Sequence, residues 1–429
     1  MWKLVLKQMW NRKRSNTWIA IELLLVFCLT WYIVDYLFVI SYNYQIPNYR
    51  DVEHTLQINL AEFKEEHPEY IAQENEPEQL MNNYRRILNT LRNYPGIDAI
   101  GVSFDSSTPG GDSYRGRGFY NINDTTLGAG GQSITIAPEE DYFKVFRFSI
   151  DNGKKIISTN DFEWILNGII LSRSAAQILF PDGRAIGQKM STQSSDIQFS
   201  VIGVVDDNKR FDFLRPQIYF YSFKNLNADN VRDAEISIRY NGSLPDNKFC
   251  EQFKTDMGDA LRIGNFYLLS IIPYTKIGQD TTKIYGVDKN IKIHIYLMIF
   301  FLVCIFLCVM GTFWYRISLR PNEIGLRKAI GATRMSIHYS FTIEGIWLLL
   351  IITLPAMLIE YQFVHADLIG TIGRQGNLNP EYLPDRTFIR FIITNAITFF
   401  FLMIIIISAI WLPAQKGASL PPTEALHYE

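Results

Sequence analysis

Four stretches of the chain are almost continuously apolar: residues 17–42, 292–315, 337–364 and 388–412. Each has about the 20 apolar residues that a helix needs to cross a bilayer core. The pattern predicts four transmembrane helices, with ordinary soluble character between the first two. Ahead of the first span, Trp2, Val5, Leu6, Met9 and Trp10 recur at i, i+3, i+4, i+7 and i+8, and Lys3, Lys7 and Arg14 lie off that stripe. This spacing predicts a basic amphipathic helix over residues 1–16, suited to a membrane surface. A plain positively charged flank is compatible with the same residues.

Between the first two spans, over residues 43–291, the apolar period alternates between helix-like and strand-like values. Residues 54–63 read as a strand. Residues 76–93 read as a helix with Leu80, Tyr84, Ile87, Leu88 and Leu91 on one face, and Pro95-Gly96 breaks it before an alternating strand at Ile97–Phe104. The same succession recurs at the far end: strand Ala234–Tyr240, helix Pro245–Arg262 with Phe249, Phe253, Met257 and Leu261 aligned, and strand Phe266–Ile272. The repetition suggests a duplicated strand–helix–strand unit. Residues 133–222 between them are mostly β, with a short helix at Arg173–Leu179. The glycine-rich stretch Gly110–Gly131 reads as a mobile loop. Residues 274–291 are expected to form a stalk running straight into the second span.

Charge orients these spans. Residues 1–17 carry five basic residues and no acid. The segment 316–336 carries Arg316, Arg320, Arg327, Lys328 and Arg334 against Glu323, whereas 365–387 carries Arg374 and Arg386 against Asp367, Glu381 and Asp385. The positive-inside rule then puts both termini, including the tail 413–429, and the 316–336 loop in the cytoplasm, with 43–291 and 365–387 outside. The first run is too long for a signal peptide, no small-x-small site follows it, and Phe27 precedes Cys28, so an uncleaved anchor is expected. Composition adds exclusions. The 429 residues are 48 % hydrophobic with a net charge of −2, which gives no reason to expect nucleic acid as a partner. Cys250 is alone among the cysteines in the soluble region, so no disulfide framework is expected there. Cys304 and Cys308 share a helix face without an adjacent His or carboxylate, which favours packing over metal binding.

No catalytic constellation emerges, and no metal site. His54 and His67 lack a third ligand at metal spacing, there is no G-x-S-x-G, and Asp206-Asp207 is better explained by a turn with Asn208 than by acid–base chemistry. Ionisable residues within the spans are Glu22, Asp35, Glu344 and Glu360. Such residues are functional suspects by default. Glu22 and Glu360 lie near span ends, where they can reach an interface. Asp35 and Glu344 are more interior and are candidates to pair with another helix. Pairing is favoured over a proton or substrate pathway, because there are few polar positions and no paired interrupted helices of the secondary-transporter kind. The chain has no G-x-x-x-x-G-K-[ST] sequence. If ATP drives it, the ATPase is a separate chain that must grip the cytoplasmic face.

One cytoplasmic stretch suits that task. Residues 321–331 read as a helix of about two and a half turns. Pro321 can occupy its first turn at no hydrogen-bonding cost, Gly331 suits the left-handed position that ends it, and Thr333 can cap the following helix. It contains Glu323, Ile324, Gly325, Arg327 and Lys328.

The stretch Arg320-x-x-Glu323-Ile324-Gly325-Leu326-Arg327-Lys328-Ala329-Ile330-Gly331-Ala332-Thr333, followed by Glu344, resembles the signature of MacB/FtsX-like ABC transporter permeases. Pro413 to Ser419 with Pro422-Thr423-Glu424-Ala425-Leu426 resembles the carboxyl-terminal motif of that family. Asp141 to Phe146, Ile170 to Ala176, Leu179-Phe180-Pro181, Ile186-Gly187 and Val201 to Asp207 are similar to the MacB-type periplasmic core domain. The resemblance implies a multi-domain α-helical membrane protein with four transmembrane helices and a large α+β periplasmic domain. That domain would combine Porter-like βαβ repeats (43–132 and 223–273) with an inserted β-rich Sabre-like subdomain (133–222) and the stalk (274–291). It implies a multi-pass protein of the bacterial inner membrane, working as a homodimer or with a related permease, bound to an ABC ATPase subunit that would hold ATP and Mg. No cofactor is implied for this chain and no enzymatic activity of its own. Carried over residue by residue, Glu323, Ile324, Arg327 and Lys328 would face the ATPase from a coupling helix that Gly325 and Gly331 help to shape, while Asp35 and Glu344 remain intramembrane polar positions. The function implied is mechanotransmission: ATP hydrolysis moves the periplasmic domain to export or extract amphiphilic peptides, drugs or lipoproteins. A periplasmic adaptor and outer-membrane channel are further partners of that reading. The alternative is an FtsX-type signalling subunit that regulates a periplasmic enzyme without moving cargo. The sequence departs from the family pattern in Leu348–Leu354 and Pro355 where a Gly-rich continuation is usual, in His427 near the tail, and in lacking the fused ATPase of MacB.

Overall fold

The computed structural model describes residues 13–104, 109–111, 113–192, 195–365 and 387–419. The helix expected over 1–16, except for its last four residues, therefore lies outside the described residues. So do nearly all of the 365–387 loop and the tail from 420. The chain divides into two compact units, Tyr44–Gly286 and the part holding the long apolar helices.

The first apolar run forms α1 (Lys13–Gln45). The unit Tyr44–Gly286 then opens with β1 (Thr55–Glu62), α2 (Pro77–Arg92) and β2 (Ile97–Phe104). Pro77 starts α2 where its missing N–H is harmless, and Leu80, Tyr84, Ile87, Leu88 and Leu91 form its buried face. Gly96, at φ +90°, makes the turn into β2. An insertion follows: β3 (Gly116–Asn121), β4 (Gly128–Ile136), the short α3 (Tyr142–Val145), the hairpin β5 (Ser149–Ile150) and β6 (Lys155–Ile156), β7 (Gly168–Ser172), α4 (Arg173–Leu179), β8 (Lys189–Thr192), β9 (Ser195–Val205) and β10 (Tyr219–Phe223). The second repeat closes the unit with β11 (Glu235–Tyr240), α5 (Asp246–Met257) and β12 (Phe266–Pro273), and α6 (Tyr274–Ile284) follows.

The two repeats interlock. The strand order is β2-β11-β1-β12 with antiparallel neighbours, so each repeat's strand pair is separated by a strand of the other. This is the split βαβ arrangement of ferredoxin-like folds. It lets α2 and α5 share one face of the sheet. Tyr84 and Ile87 pack with Phe249 and Phe253 over Leu56, Ile58, Val102 and Ile238. The insertion closes on itself through the pairings β4-β3-β8-β9-β7-β10, because β10 pairs antiparallel with β7 on one edge and parallel with β4 on the other. Phe119, Leu171, Met190, Val201 and Phe220 belong to the apolar core of this six-stranded ring. Ser103↔Ile136 and Phe104↔Thr135 join the ring to the interlocked sheet through β4.

Gly110–Gly131 is not the expected loop, since it contains β3 and the start of β4. Its glycines permit close approach between chains. A Cβ on Gly128 would come within 2.6 Å of the Tyr120 ring, and one on Gly131 within 2.4 Å of the Ile218 carbonyl oxygen. The first part of the expected stalk is helical over Tyr274–Ile284, and that helix ends there. The Tyr285 and Gly286 amides bond back to Thr281 and Lys283, and Gly286 adopts φ +66°.

The other unit continues with α7 (Val287–Ser318), α8 (Pro321–Ala329), α9 (Arg334–His365) and α10 (Thr387–Ser419). Among the described residues four helices are long and apolar enough to cross a membrane: α1, α7, α9 and α10. Several extend beyond the apolar runs, since hydropathy marks only the portion facing hydrocarbon. α9 passes through Pro355 and α10 through Pro413 without ending. α10 packs against both α7 and α9. Gly345 allows the second contact, since a Cβ there would lie 2.4 Å from Ile410 Cδ1.

Candidate functional site

The helix α8 is built by three local signals. Pro321 occupies its first turn. At its other end Gly331, at φ +99°, donates its N–H to Lys328 O at 2.9 Å, and Ala332 N–H reaches Arg327 O at 2.9 Å. These two bonds form a Schellman ending that satisfies carbonyls a helix otherwise leaves bare. Thr333 Oγ1 then accepts from Ser336 N–H at 3.2 Å, capping α9.

Two faces of α8 differ. Ile324 is 2 % exposed and packs in the core with Ile317, Ile337, Phe341, Ala414 and Ala418, with the buried Gly325 beside it. An isoleucine held in this way anchors the helix, so the partner-facing role expected of Ile324 does not fit its position. Glu323 and Arg327 pair one turn apart at 2.6 Å, each about one-third exposed, and Arg327 Nη1 also donates to Ser340 Oγ at 3.2 Å. Burial lowers the pKa of Lys328, and the like charge of Arg334 adds to that shift. Leu326 and Ile330, by contrast, are 56 % and 78 % exposed. Sequence reasoning passed over both. At about 100° per residue they fall on the side of the helix away from Ile324, and that was the available signal.

Behind α8 lies a buried charge cluster. Arg316 Nη1 donates to Glu344 Oε1 at 2.8 Å, and Arg320 Nη1 lies 3.6 Å from Glu344 Oε2. All three residues are buried. A cavity of about 10 Å³ among Arg320, Glu323, Arg327, Ser340 and Glu344 has room for a single water at most. One carboxylate on α9 therefore holds the end of α7 and the entry to α8. Sequence reasoning counted Arg316 only as a topology charge, and Arg320 as that and as the first residue of the signature stretch. Their i, i+4 spacing just ahead of Pro321, facing the first acid of the next span, was the clue to the pairing.

Asp35 and Arg390 form a second buried pair, joined by two bonds of 2.8 and 2.9 Å between α1 and α10. Trp31 Nε1 donates to Thr394 Oγ1 beside them at 3.0 Å. Glu360 does not reach an interface. It is 1 % exposed, and its carboxylate accepts no well-formed hydrogen bond among the described residues. The reason is that α9 runs on to His365, which leaves Glu360 inside the packed helix. Glu22 accepts from Cys308 Sγ at 2.6 Å, so a carboxylate does accompany that cysteine, from another helix, while Cys304 is exposed.

The outer unit shows no chemistry at its candidate positions. Asp206 does more than form a turn. It accepts from Asn152 and Gly153 N–H at 3.1 and 2.8 Å, from Ser149 Oγ, and from Arg173. Asp207 accepts from Ser174 N–H at 2.8 Å at the start of α4. His54 lies 3.6 Å from Asp246, and His67 stacks on Phe63. Among the described residues no group of three potential metal ligands converges.

Two family models match the chain. The MacB-like periplasmic core domain matches residues 57–245, and the FtsX-like permease C-terminal domain matches residues 295–422. Among solved structures, the periplasmic region of MacB from Actinobacillus actinomycetemcomitans aligns at 12 % identity and a TM-score of 0.32, covering 54 % of this chain and 93 % of that one. The extracellular domain of the noncanonic ABC-type transporter YknZ from Gram-positive bacteria aligns at 13 % identity and a TM-score of 0.29, covering 50 % of this chain and 100 % of that one. Comparison with curated proteins gave no match. The two family matches, in this order over the β-rich unit and the last three spans, show that the chain belongs to the MacB/FtsX-like ABC transporter permeases, multi-pass proteins of the bacterial inner membrane.

Proposed function

We propose that this chain is the permease subunit through which a separate ATPase, holding ATP and Mg, drives its periplasmic domain. The observation that carries this reading is α8. It starts at Pro321, closes in a Schellman turn at Gly331, is anchored inward by Ile324 and backed by the Arg316–Glu344 pair, and exposes Leu326 and Ile330. A short helix held so firmly from behind, with two large apolar side chains facing out, suits a partner that pushes on it. The basic residues of 316–336 support a cytoplasmic position for it together with both termini, by the positive-inside rule. Glu323, Arg327 and Lys328 would rim the contact, with Gly325 and Gly331 shaping the helix. Force would pass along α7, whose 32 residues span ~48 Å at the usual rise.

The subunit would work as a homodimer or with a related permease. Its large outer unit, a ring fused to an interlocked sheet, favours export or extraction of amphiphilic peptides, drugs or lipoproteins over signalling. The test is to purify the tagged chain from its native membrane and identify what accompanies it. A P-loop ATPase that Leu326→Glu or Ile330→Glu releases, at unchanged thermal stability, is the expected result. An ATPase that stays bound in both variants would remove α8 from the interface. A co-purified adaptor or outer-membrane channel supports export, whereas a cell-wall hydrolase supports the FtsX-type alternative. Glu323→Ala and Arg327→Ala should leave hydrolysis intact but uncouple it from periplasmic motion.

A further inference from the structure

Strand β1 outruns one of its neighbours. Its pairing with β11 stops at Ile58↔Ile236, whereas its pairing with β12 continues to Glu62↔Phe266. From Asn59 to Glu62 one edge of β1 therefore has no strand beside it, although β1 is an interior strand of the sheet. Residues 230–234, which would have continued β11 backwards, turn away through a 3₁₀ turn at Val231–Asp233. Among the described residues no backbone hydrogen bond joins them to 59–62. The register of β1 against β12 also shifts at Asn59/Leu60, where the β11 pairing has just ended. A bulge there adds twist and helps to hold the sheet open.

A cleft of about 580 Å³ occupies this gap. Asn59–Glu62 form one wall, Asn230–Glu235 the other, and Tyr84, Phe104 and Phe266 also line it. Lys224, Arg232 and Asp233 supply charge. Arg232 Nε reaches both carboxylate oxygens of Glu62, at 3.0 and 3.1 Å, tying one wall to the other. Tyr84 is almost wholly buried, and its hydroxyl has no hydrogen-bond partner among the described residues.

We propose that this cleft takes an extended segment of a partner polypeptide, added as a short strand to the bare edge of β1. The four unpaired residues give ~13 Å of edge at the usual rise, enough for three or four residues of extended chain. The volume lies within the ordinary range for binding pockets. Main-chain bonds to β1 give affinity, and alternate side chains give selectivity. Side chains directed at Tyr84, Phe104 and Phe266 are small and apolar, and those beside Glu62, Arg232 and Lys224 are polar. The charged walls disfavour a wholly apolar occupant. This inference does not depend on how the chain is driven.

The test uses the full chain in nanodiscs, with Cys28, Cys250, Cys304 and Cys308 replaced by alanine and Ala61→Cys introduced in the cleft wall. The probe is acetyl-Thr-Val-Cys-Val-Thr-amide, supplied as its mixed disulfide with 2-mercaptoethanol and equilibrated by exchange in excess 2-mercaptoethanol, which is released as the leaving thiol. Lys254→Cys, on the exposed face of α5, is the reference site. Tethering at Ala61→Cys is expected to be favoured about tenfold over the reference, and N-methylation of the peptide amides should abolish the preference, because each lost main-chain bond costs a severalfold change. Equal tethering at the two sites would overturn the proposal. So would a preference that survives N-methylation, which would mean that the cleft traps side chains without adding a strand. If Ala61→Cys unfolds the domain, Asn59→Cys gives the same comparison from the other end of the edge.

Discussion

Replacing Glu344 by alanine removes the carboxylate shared by Arg316 and Arg320 and leaves both guanidinium groups buried. At an effective dielectric near 20, attractions over the observed 2.8 and 3.6 Å are worth ~6 and ~4.6 kcal/mol before desolvation is subtracted. Desolvation offsets most of that gain, but it is not recovered when one partner alone is deleted, so the expected loss is ~3–5 kcal/mol. The loss should be local, because the cluster joins the end of α7, the entry of α8 and the middle of α9. Hydrogen exchange of the purified protein in nanodiscs measures it directly. Amides from Arg316 to Ile330 should exchange about a hundredfold to a few thousandfold faster in Glu344→Ala. Glu344→Gln, which keeps the shape and one acceptor, should show a smaller change. The triple variant Arg316→Met, Arg320→Met, Glu344→Leu should recover most of the protection, since an apolar cluster of similar volume replaces the charges. The reasoning fails if Glu344→Ala changes exchange by less than about fivefold, or if the triple variant is as labile as the single one.

Four further outcomes are expected. Gly331→Ala should cost ~1–2 kcal/mol of local stability from its left-handed backbone alone, because nothing lies within 4 Å of a Cβ there. Gly345→Ala should cost ~1–3 kcal/mol from overpacking against Ile406 and Ile410, and Ile410→Val should restore part of it while leaving Gly331→Ala unchanged, as read from denaturant midpoints. In the outer unit, burial raises the pKa of Glu140 even though Arg92 bonds it at 2.7 Å. The folded state thus keeps that proton to higher pH than the unfolded chain does. This group's contribution to stability is fully present below the ordinary glutamate range, at about pH 4, and is lost as pH rises through the folded value. Unfolding followed by Trp164 fluorescence should lose this decline in Glu140→Gln, and an unaltered pH slope would contradict the assignment. Finally, Glu360→Gln should be at least as stable as the parent, because it removes a buried carboxyl group that no cation pairs with among the described residues. A loss above ~1 kcal/mol would reveal a partner for its charge.

Much of this protein is legible one segment at a time. An apolar run of about 20 residues satisfies its backbone in lipid as a helix, so hydropathy was enough for the four spans. The ends of α8 follow from Pro321, Gly331 and Thr333, whose effects on φ and on bare N–H groups act within a turn. The strands and helices of both repeats followed from their periods for the same local reason. Other features depend on contacts between residues distant in sequence. Asp35 and Arg390 are 355 positions apart, and nothing in either neighbourhood selects the other. The interlocking of the repeats and the closure of the ring through β4 and β10 depend on which strand edges meet, and strand patterning specifies faces, not neighbours. Gly128 and Gly131 looked flexible because a glycine needed for close packing is indistinguishable, in sequence, from one needed for a turn. Ile324 and Leu326 are both large aliphatics on one short helix. Their different exposures were decided by Ile317 and Ala414, which fold against one side of that helix and leave the other uncovered.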